Sequence, residues 1–208
     1  MKNVRVVLLV FSAFVLLGAV LLIMWANWPP SISTRTTMLH LIAPSNWDKS
    51  AVDQIDSRTF TFTLTYPETI KTGQIARYQM DLVQLPATVT VGGIEYQLRV
   101  RSELIMPGLI NQQEGMFTQS VQDQKPIRFT WTVRAFEPQS TVGALRIFVD
   151  YVSPDNSVIS QLISVIELWL VSNSLWGLST TGSTSLAVAF VLLAGLAGGL
   201  GLTRPRVG

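Results

Sequence analysis

Two kinds of hydrophobic pattern divide this chain of 208 residues. At both ends apolar residues run on without a break, and between the ends they recur at every second position. The first run, Val6 to Trp25, holds 20 residues without a charge. At about 1.5 Å per residue, a helix of that length matches the roughly 30 Å hydrocarbon core of a bilayer. A transmembrane helix is therefore expected over residues 6–25. Lys2 and Arg5 would also suit a secretory signal, but the apolar part of a signal is typically only about 7–15 residues long. The segment reads as an uncleaved anchor.

The second run, Leu186 to Leu202, has 17 charge-free residues, the short end of the spanning range of about 17–25. Ser185 and Thr203 extend it to 185–203. Gly195, Gly198, Gly199 and Gly201 would weaken a helix in water by about 1 kcal/mol each. Hydrocarbon penalises any unpaired backbone group, and glycine is common in membrane helices. The glycines do not exclude a second span.

Between the runs the period is two. Phe60, Phe62, Leu64 and Tyr66 alternate with threonines; Tyr96, Leu98 and Val100 alternate with Gln97, Arg99 and Arg101; Ile127, Phe129, Trp131 and Val133 alternate with polar residues. Each segment reads as a half-buried strand. Thr36–Ile42, Ile75–Leu85, Leu145–Val152 and Val158–Val171 are further strand candidates. Gly92-Gly93 suits a tight hairpin, Pro107-Gly108 a turn, and Pro154 to Ser157 a last hairpin. Asp48–Asp56 is left as a short helix or a loop.

Seven or eight short strands without a long helical period predict a mainly β fold. The expected form is an immunoglobulin-like antiparallel β-sandwich over residues 29–184, flanked by the two helices. Val158 to Leu178 is apolar enough to raise the question of a third span. Glu167 at its centre would cost about 2.5–3.5 kcal/mol there, and a final strand after a hairpin fits better.

Charge orients the whole. Lys2 and Arg5 precede the first span, Arg204 and Arg206 follow the second, and all 13 acidic residues lie between them. Tails 1–5 and 204–208 are therefore expected in the cytoplasm, with the middle domain outside. The pI of 9.2 reflects these flanks, so nucleic acid is not an expected partner. The 48% hydrophobic and 13% charged composition agrees with a membrane protein. There is no cysteine, so the outer domain is expected to fold without a disulfide, and the lack of an Asn-x-Ser/Thr acceptor favours a bacterial cell envelope and its inner membrane.

Candidate chemistry is sparse. His40 is the sole histidine, so copper, Rieske and haem centres lack their ligand sets, and no cofactor or metal is expected. A Ser-His-Asp site would have to use His40, and no serine lies in a G-x-S-x-G elbow. Asp48, Asp53 and Asp56 lack the EF-hand spacing and read as caps or surface groups. No catalytic residue is assigned.

The expected sites concern contact instead. Gly195 and Gly199 form G-x-x-x-G, and Ala194 and Gly198 form a second pair of small residues four apart; such pairs let helices approach closely in lipid. Trp25 and Trp28 mark the outer membrane interface, with Arg204 and Arg206 at the inner one. Trp169 and Trp176 suit either the interface or packing at the sandwich edge. Met106, Leu109, Ile110, Met116 and Phe117 fall in a loop that either folds under the sandwich or meets a partner. The leading expectation is a non-catalytic accessory or scaffold subunit of a membrane complex, with the lipid bilayer and other membrane subunits as partners. The alternative is an anchored receptor for a peptide, glycan or envelope component.

Overall fold

A computed structural model describes residues 2–111, 115–123 and 125–202. The chain opens with helix α1 (Lys2–Asn27) and closes with helix α3 (Thr180–Leu202). Between them lie β1 (Ile32–His40), α2 (Lys49–Asp56), β2 (Thr59–Pro67), β3 (Thr69–Lys71), β4 (Ile75–Val83), β5 (Thr88–Val91) and β6 (Ile94–Ile105). β7 (Ile110–Asn111), β8 (Phe117–Ser120), β9 (Ile127–Arg134), β10 (Gln139–Val152) and β11 (Val158–Asn173) complete the domain. The fold is mainly β, with two sheets and two terminal helices apolar enough to cross a membrane.

One sheet runs β1-β2-β4-β9-β7 and the other β3-β11-β10-β6-β5, with β8 also paired to β6. All pairings are antiparallel except the short one between β3 and β11. Alternation explains the layers. Phe60, Phe62 and Leu64 of β2, Tyr78 and Met80 of β4, and Phe129, Trp131 and Val133 of β9 turn one way into a common core. From the other sheet Leu98, Val100, Leu145, Ile147, Val149, Leu168 and Leu170 enter the same buried cluster. Val158 to Asn173 is a strand along its full length, and Glu167 lies exposed on its outer side.

The turns follow their chemistry. Gly92 and Gly93, at φ +57° and +78°, link Val91 to its partner Ile94, the left-handed geometry a two-residue hairpin requires. Asp48 caps α2 by accepting from the Ala51 N–H at 2.7 Å, which holds its carboxyl below the ordinary 3.8. Asp56 accepts from the Ala43 N–H at 2.9 Å. His40 is exposed, with Nδ1 3.3 Å from the Asp56 carbonyl.

Residues 106–117, expected as a loop, include two short strands, since Ile110 belongs to β7 and Phe117 to β8. Met106 is buried, Leu109 packs on the core, and Phe117 meets Trp131 edge-on at 6.1 Å. Ile110 and Met116 are exposed, and residues 112–114 lie outside the described residues. Met106 lies against Gly143 of β10, where a Cβ would fall inside contact distance of the Met106 sulfur and 2.5 Å from the Ile105 carbonyl. Gly143→Ala is expected to lower stability by about 1–3 kcal/mol. A Met106→Ala background should not restore it, because the carbonyl remains; chemical denaturation of both variants checks this.

The Tyr78 hydroxyl and Trp131 Nε1 are among the buried polar atoms of the described residues that have no hydrogen-bond partner, and they sit on residues paired across β4 and β9. Burial, with Tyr66 beside it, raises the Tyr78 pKa far above 10. An unpaired buried hydroxyl costs about 1–3 kcal/mol of desolvation. Tyr78→Phe should therefore leave stability unchanged or raise it by about 1 kcal/mol, measured by thermal melting.

Candidate functional site

The helices are the least ordinary part of the molecule. At about 1.5 Å per residue, the 26 residues of α1 and 23 of α3 exceed the roughly 30 Å of a bilayer core. Most of their large apolar side chains are exposed, among them Phe14, Leu21, Leu192 and Leu196. α3 begins at Thr180, five residues before the expected 185. The Ser179 hydroxyl accepts from the Gly182 N–H at 3.1 Å, so a polar cap and two threonines start a helix that the apolar run alone does not reveal.

α1 and α3 pack antiparallel along a narrow seam. Ser12, Ala19 and Leu22 are buried against Ser183, Ala187 and Ala194, with spacings of three, four and seven that keep each set on one face. The Ser12 hydroxyl donates to the Ala194 carbonyl at 2.8 Å. Gly198 makes room for it, since a Cβ there would stand 3.2 Å from Ser12 Oγ. Higher up, a Cβ on Gly18 would meet the Phe190 ring at 3.6 Å.

The seam separates the two small-residue pairs expected from sequence. Ala194 and Gly198 contact α1. A Cβ added at Gly195 or Gly199 would meet nothing within 4 Å, so this pair looks away from α1. Successive helical residues differ by about 100°, so two overlapping motifs cannot both face one neighbour. Arg204 and Arg206 lie outside the described residues. Trp28 is exposed and Trp25 half-buried.

The joint between helices and β-domain centres on residues 69–74, where sequence reasoning assigned nothing. Lys71 is buried, and its ammonium donates to the carbonyl of Ala26 at 3.3 Å and to that of Trp28. It also stands 5.3 Å from the centre of the Trp25 ring. Ala26 O is one of the last carbonyls of α1, which have no partner within the helix and favour a cation, and Trp28 O lies just past the helix end. Burial lowers the Lys71 pKa from 10.5, and among the described residues no carboxylate lies within 4 Å of it.

The next two residues hold everything else. Thr72 N–H donates to Asn173 O at the end of β11, and Thr72 O accepts from Thr180 N at the start of α3, both at 2.9 Å. Gly73 N–H donates to Ala135 O at 2.8 Å, and Gly73 O accepts from Arg134 Nε at 3.0 Å. Gly73 sits at φ +86°, and a Cβ would meet Thr180 Oγ1 at 3.1 Å. A three-residue strand has no readable period, so only the Lys-Thr-Gly turn signal was there to be found.

Before α3 the chain makes a two-residue turn, with Leu175 and Leu178 bonded to each other across it. Trp176 and Gly177 occupy it at φ +51° and +78°. Asn or Gly is the usual first residue of such a turn; a tryptophan held there costs about 1–3 kcal/mol. Its side chain is 85% exposed, so packing within the fold does not offset that cost. Beside the turn lies a groove of about 340 Å³, walled by Gly18, Leu22 and Trp25 of α1, Leu186 and Phe190 of α3, and Trp176 of the turn.

Among the described residues no three His, Cys, Asp or Glu side chains gather as metal ligands would. No family model matches the chain, and no curated protein matches it. In structure, 35 chains match. One is from the complex of zinc 2-glycoprotein with prolactin inducible protein from human seminal plasma, at 12% identity, 54% of this chain, 93% of that one and a TM-score of 0.38. Another is the cohesin module of a Clostridium perfringens family 33 glycoside hydrolase, at 8% identity, 55% of this chain, 96% of that one and a TM-score of 0.31. At such scores the likeness carries no argument about topology or function.

The seam yields a prediction that separates the two glycine pairs. Gly198→Val should displace Ser12 and weaken the hairpin by about 1–3 kcal/mol, whereas Gly195→Val should leave it intact. Disulfide trapping between cysteines placed at Gly18 and Phe190 reads the difference: trapping falls only in the Gly198 variant.

Proposed function

We propose that this chain is a two-span protein of a bacterial inner membrane that serves as a non-catalytic accessory or scaffold subunit. Both termini lie in the cytoplasm and the β-domain, an immunoglobulin-like sandwich, stands outside. The antiparallel hairpin supports the topology, because it brings the start of α1 and the end of α3 to one side. In sequence, Lys2 and Arg5 precede the first apolar run and Arg204 and Arg206 follow the second, in line with the positive-inside rule.

The observation that carries the subunit role is the unused small-residue face of α3. Lipid supplies no hydrophobic drive for helix association, so close packing on small residues does that work. α1 occupies Ala194 and Gly198, and Gly195 and Gly199 are left open. Trp169, Val142 and Val171 add an exposed apolar patch on adjacent β-strands of the outer domain. Both surfaces suit a neighbouring subunit.

Extraction of tagged protein from its native membrane in mild detergent tests the reading. The chain should copurify with other membrane proteins at fixed stoichiometry, and a Gly195→Leu, Gly199→Leu double variant should lose them while melting like the parent. A monodisperse monomer that brings nothing with it would refute the role.

A second reading, an anchored binding domain, draws on a polar groove of about 330 Å³ at the end of the domain away from the helices. Thr88, Glu95, Gln97, Ser153 and Asn156 line it between two hairpins. Binding of a peptide or glycan there, absent in Glu95→Ala, would favour this reading over the first.

A further inference from the structure

The groove at the Trp176 turn asks for an occupant. We propose that it is a binding site for one anionic phospholipid, whose acyl chain fills the groove between α1 and α3 and whose phosphate is drawn toward Lys71. The inference rests on the membrane-spanning reading of the helices. Three observations carry it together: the lining, the charge beside it and the strained tryptophan.

The lining fits a hydrocarbon chain. Gly18, Leu22, Trp25, Leu186, Phe190 and Trp176 present carbon surface, and the volume of about 340 Å³ falls in the range of roughly 300–1,000 Å³ typical of small-molecule sites. The groove lies between helices whose remaining surface is exposed and apolar, so it is continuous with the hydrocarbon around them. A chain gains no hydrophobic transfer energy by moving from lipid into such a groove. Dispersion contacts and a headgroup interaction must therefore supply the selectivity.

Lys71 supplies that second part. Trp25 borders both the groove and a smaller, more polar recess lined by Trp28, Thr69, Lys71, Gln74 and Asn173. The Lys71 ammonium is buried, is opposed by carbonyls and a ring but, among the described residues, by no carboxylate, and stands at the end of the span. A phosphate there meets a cation whose partners are dipoles and a ring rather than a full negative charge. Among the described residues no other lysine or arginine borders either cavity.

Trp176 supplies the third. Its backbone is held in a conformation that asparagine or glycine adopts more readily, yet the residue is large, apolar and outside the core. Indole is favoured at the membrane interface, and here it lines the groove while remaining exposed, so an acyl chain in the groove would touch it. The residue is poorly chosen for the turn and well chosen for a lipid contact.

Native mass spectrometry of the full chain in mild detergent, titrated with phosphatidylglycerol or phosphatidylcholine, tests the proposal. The parent should retain one phosphatidylglycerol roughly tenfold better than phosphatidylcholine, because both present a phosphate to Lys71 but only phosphatidylcholine brings a quaternary ammonium toward that cation. Lys71→Met should abolish that preference and Lys71→Arg should keep it. Trp176→Asn suits the turn better, so its melting temperature should equal or exceed the parent's while retention of both lipids falls severalfold. Equal retention by parent and Trp176→Asn, or a parent without preference between the lipids, would overturn the site. Alkaline extraction of native membranes separates the two levels: release of the chain refutes the spanning reading, whereas a chain that stays in the pellet with unselective lipid retention refutes only the site.

Discussion

The contact on which the arrangement depends is the one between Lys71 and the end of α1. A buried ammonium without a carboxylate is ordinarily destabilising, and here the carbonyl of Ala26, in the last turn of α1, and that of Trp28, just past it, offset that penalty. The end of the helix carries roughly half a negative charge as the terminus of its dipole. The neighbouring residues then bind the end of β11, the end of β9 and the start of α3 through backbone groups of Thr72 and Gly73. Both helices and both sheets thus converge on one turn. Its shape is set by Gly73, which alone among common residues meets the positive φ and the closeness of Thr180 at little cost.

Below the joint, different physics applies to the helix pair. In water a seam of serine, alanine and glycine would be a poor interface, since it removes little apolar area. In lipid the competing surface is as apolar as leucine, and only fit and hydrogen bonding distinguish helix from solvent. The bond from Ser12 to the Ala194 carbonyl, admitted by Gly198, is a contact of that kind. The polar first turns of α3 follow similar logic, because Thr180 is tied to the joint and needs a polar partner rather than hydrocarbon.

Much of the β-domain was legible because alternation reports directly on burial. Phe60, Phe62 and Leu64, or Phe129, Trp131 and Val133, turn inward as their period requires, and Glu167 marks Val158–Asn173 as a strand with one wet face. Strands too short for a period, such as Thr69–Lys71, Ile110–Asn111 and Phe117–Ser120, left no trace, since they form where a neighbouring strand offers free backbone groups. The helix motifs were half legible. Sequence supplies two overlapping small pairs, and only the shape of α1 decides that Ala194 and Gly198 are the ones it meets. The start of α3 was hidden for a related reason: Ser179 and the threonines belong to a cap, and hydropathy reads caps as loop.

The rigidity of the joint bears on what such a protein is for. A domain that captures a ligand for diffusion or delivery tolerates a flexible tether, and longer linkers cost little in entropy. Here only residues 28–31 separate α1 from β1, two of them the prolines Pro29 and Pro30. The connection from β11 to α3 is folded into a bonded turn. Both links are short and crossed by hydrogen bonds from the 69–74 segment, which restrain the β-domain relative to the helices. A fixed attitude matters when surfaces on the helices and on the domain must meet the same neighbour at once, since each contact then presents the other at high effective concentration. That is the requirement of a subunit seated in an assembly, and it weighs on the side of the scaffold role over the tethered receptor.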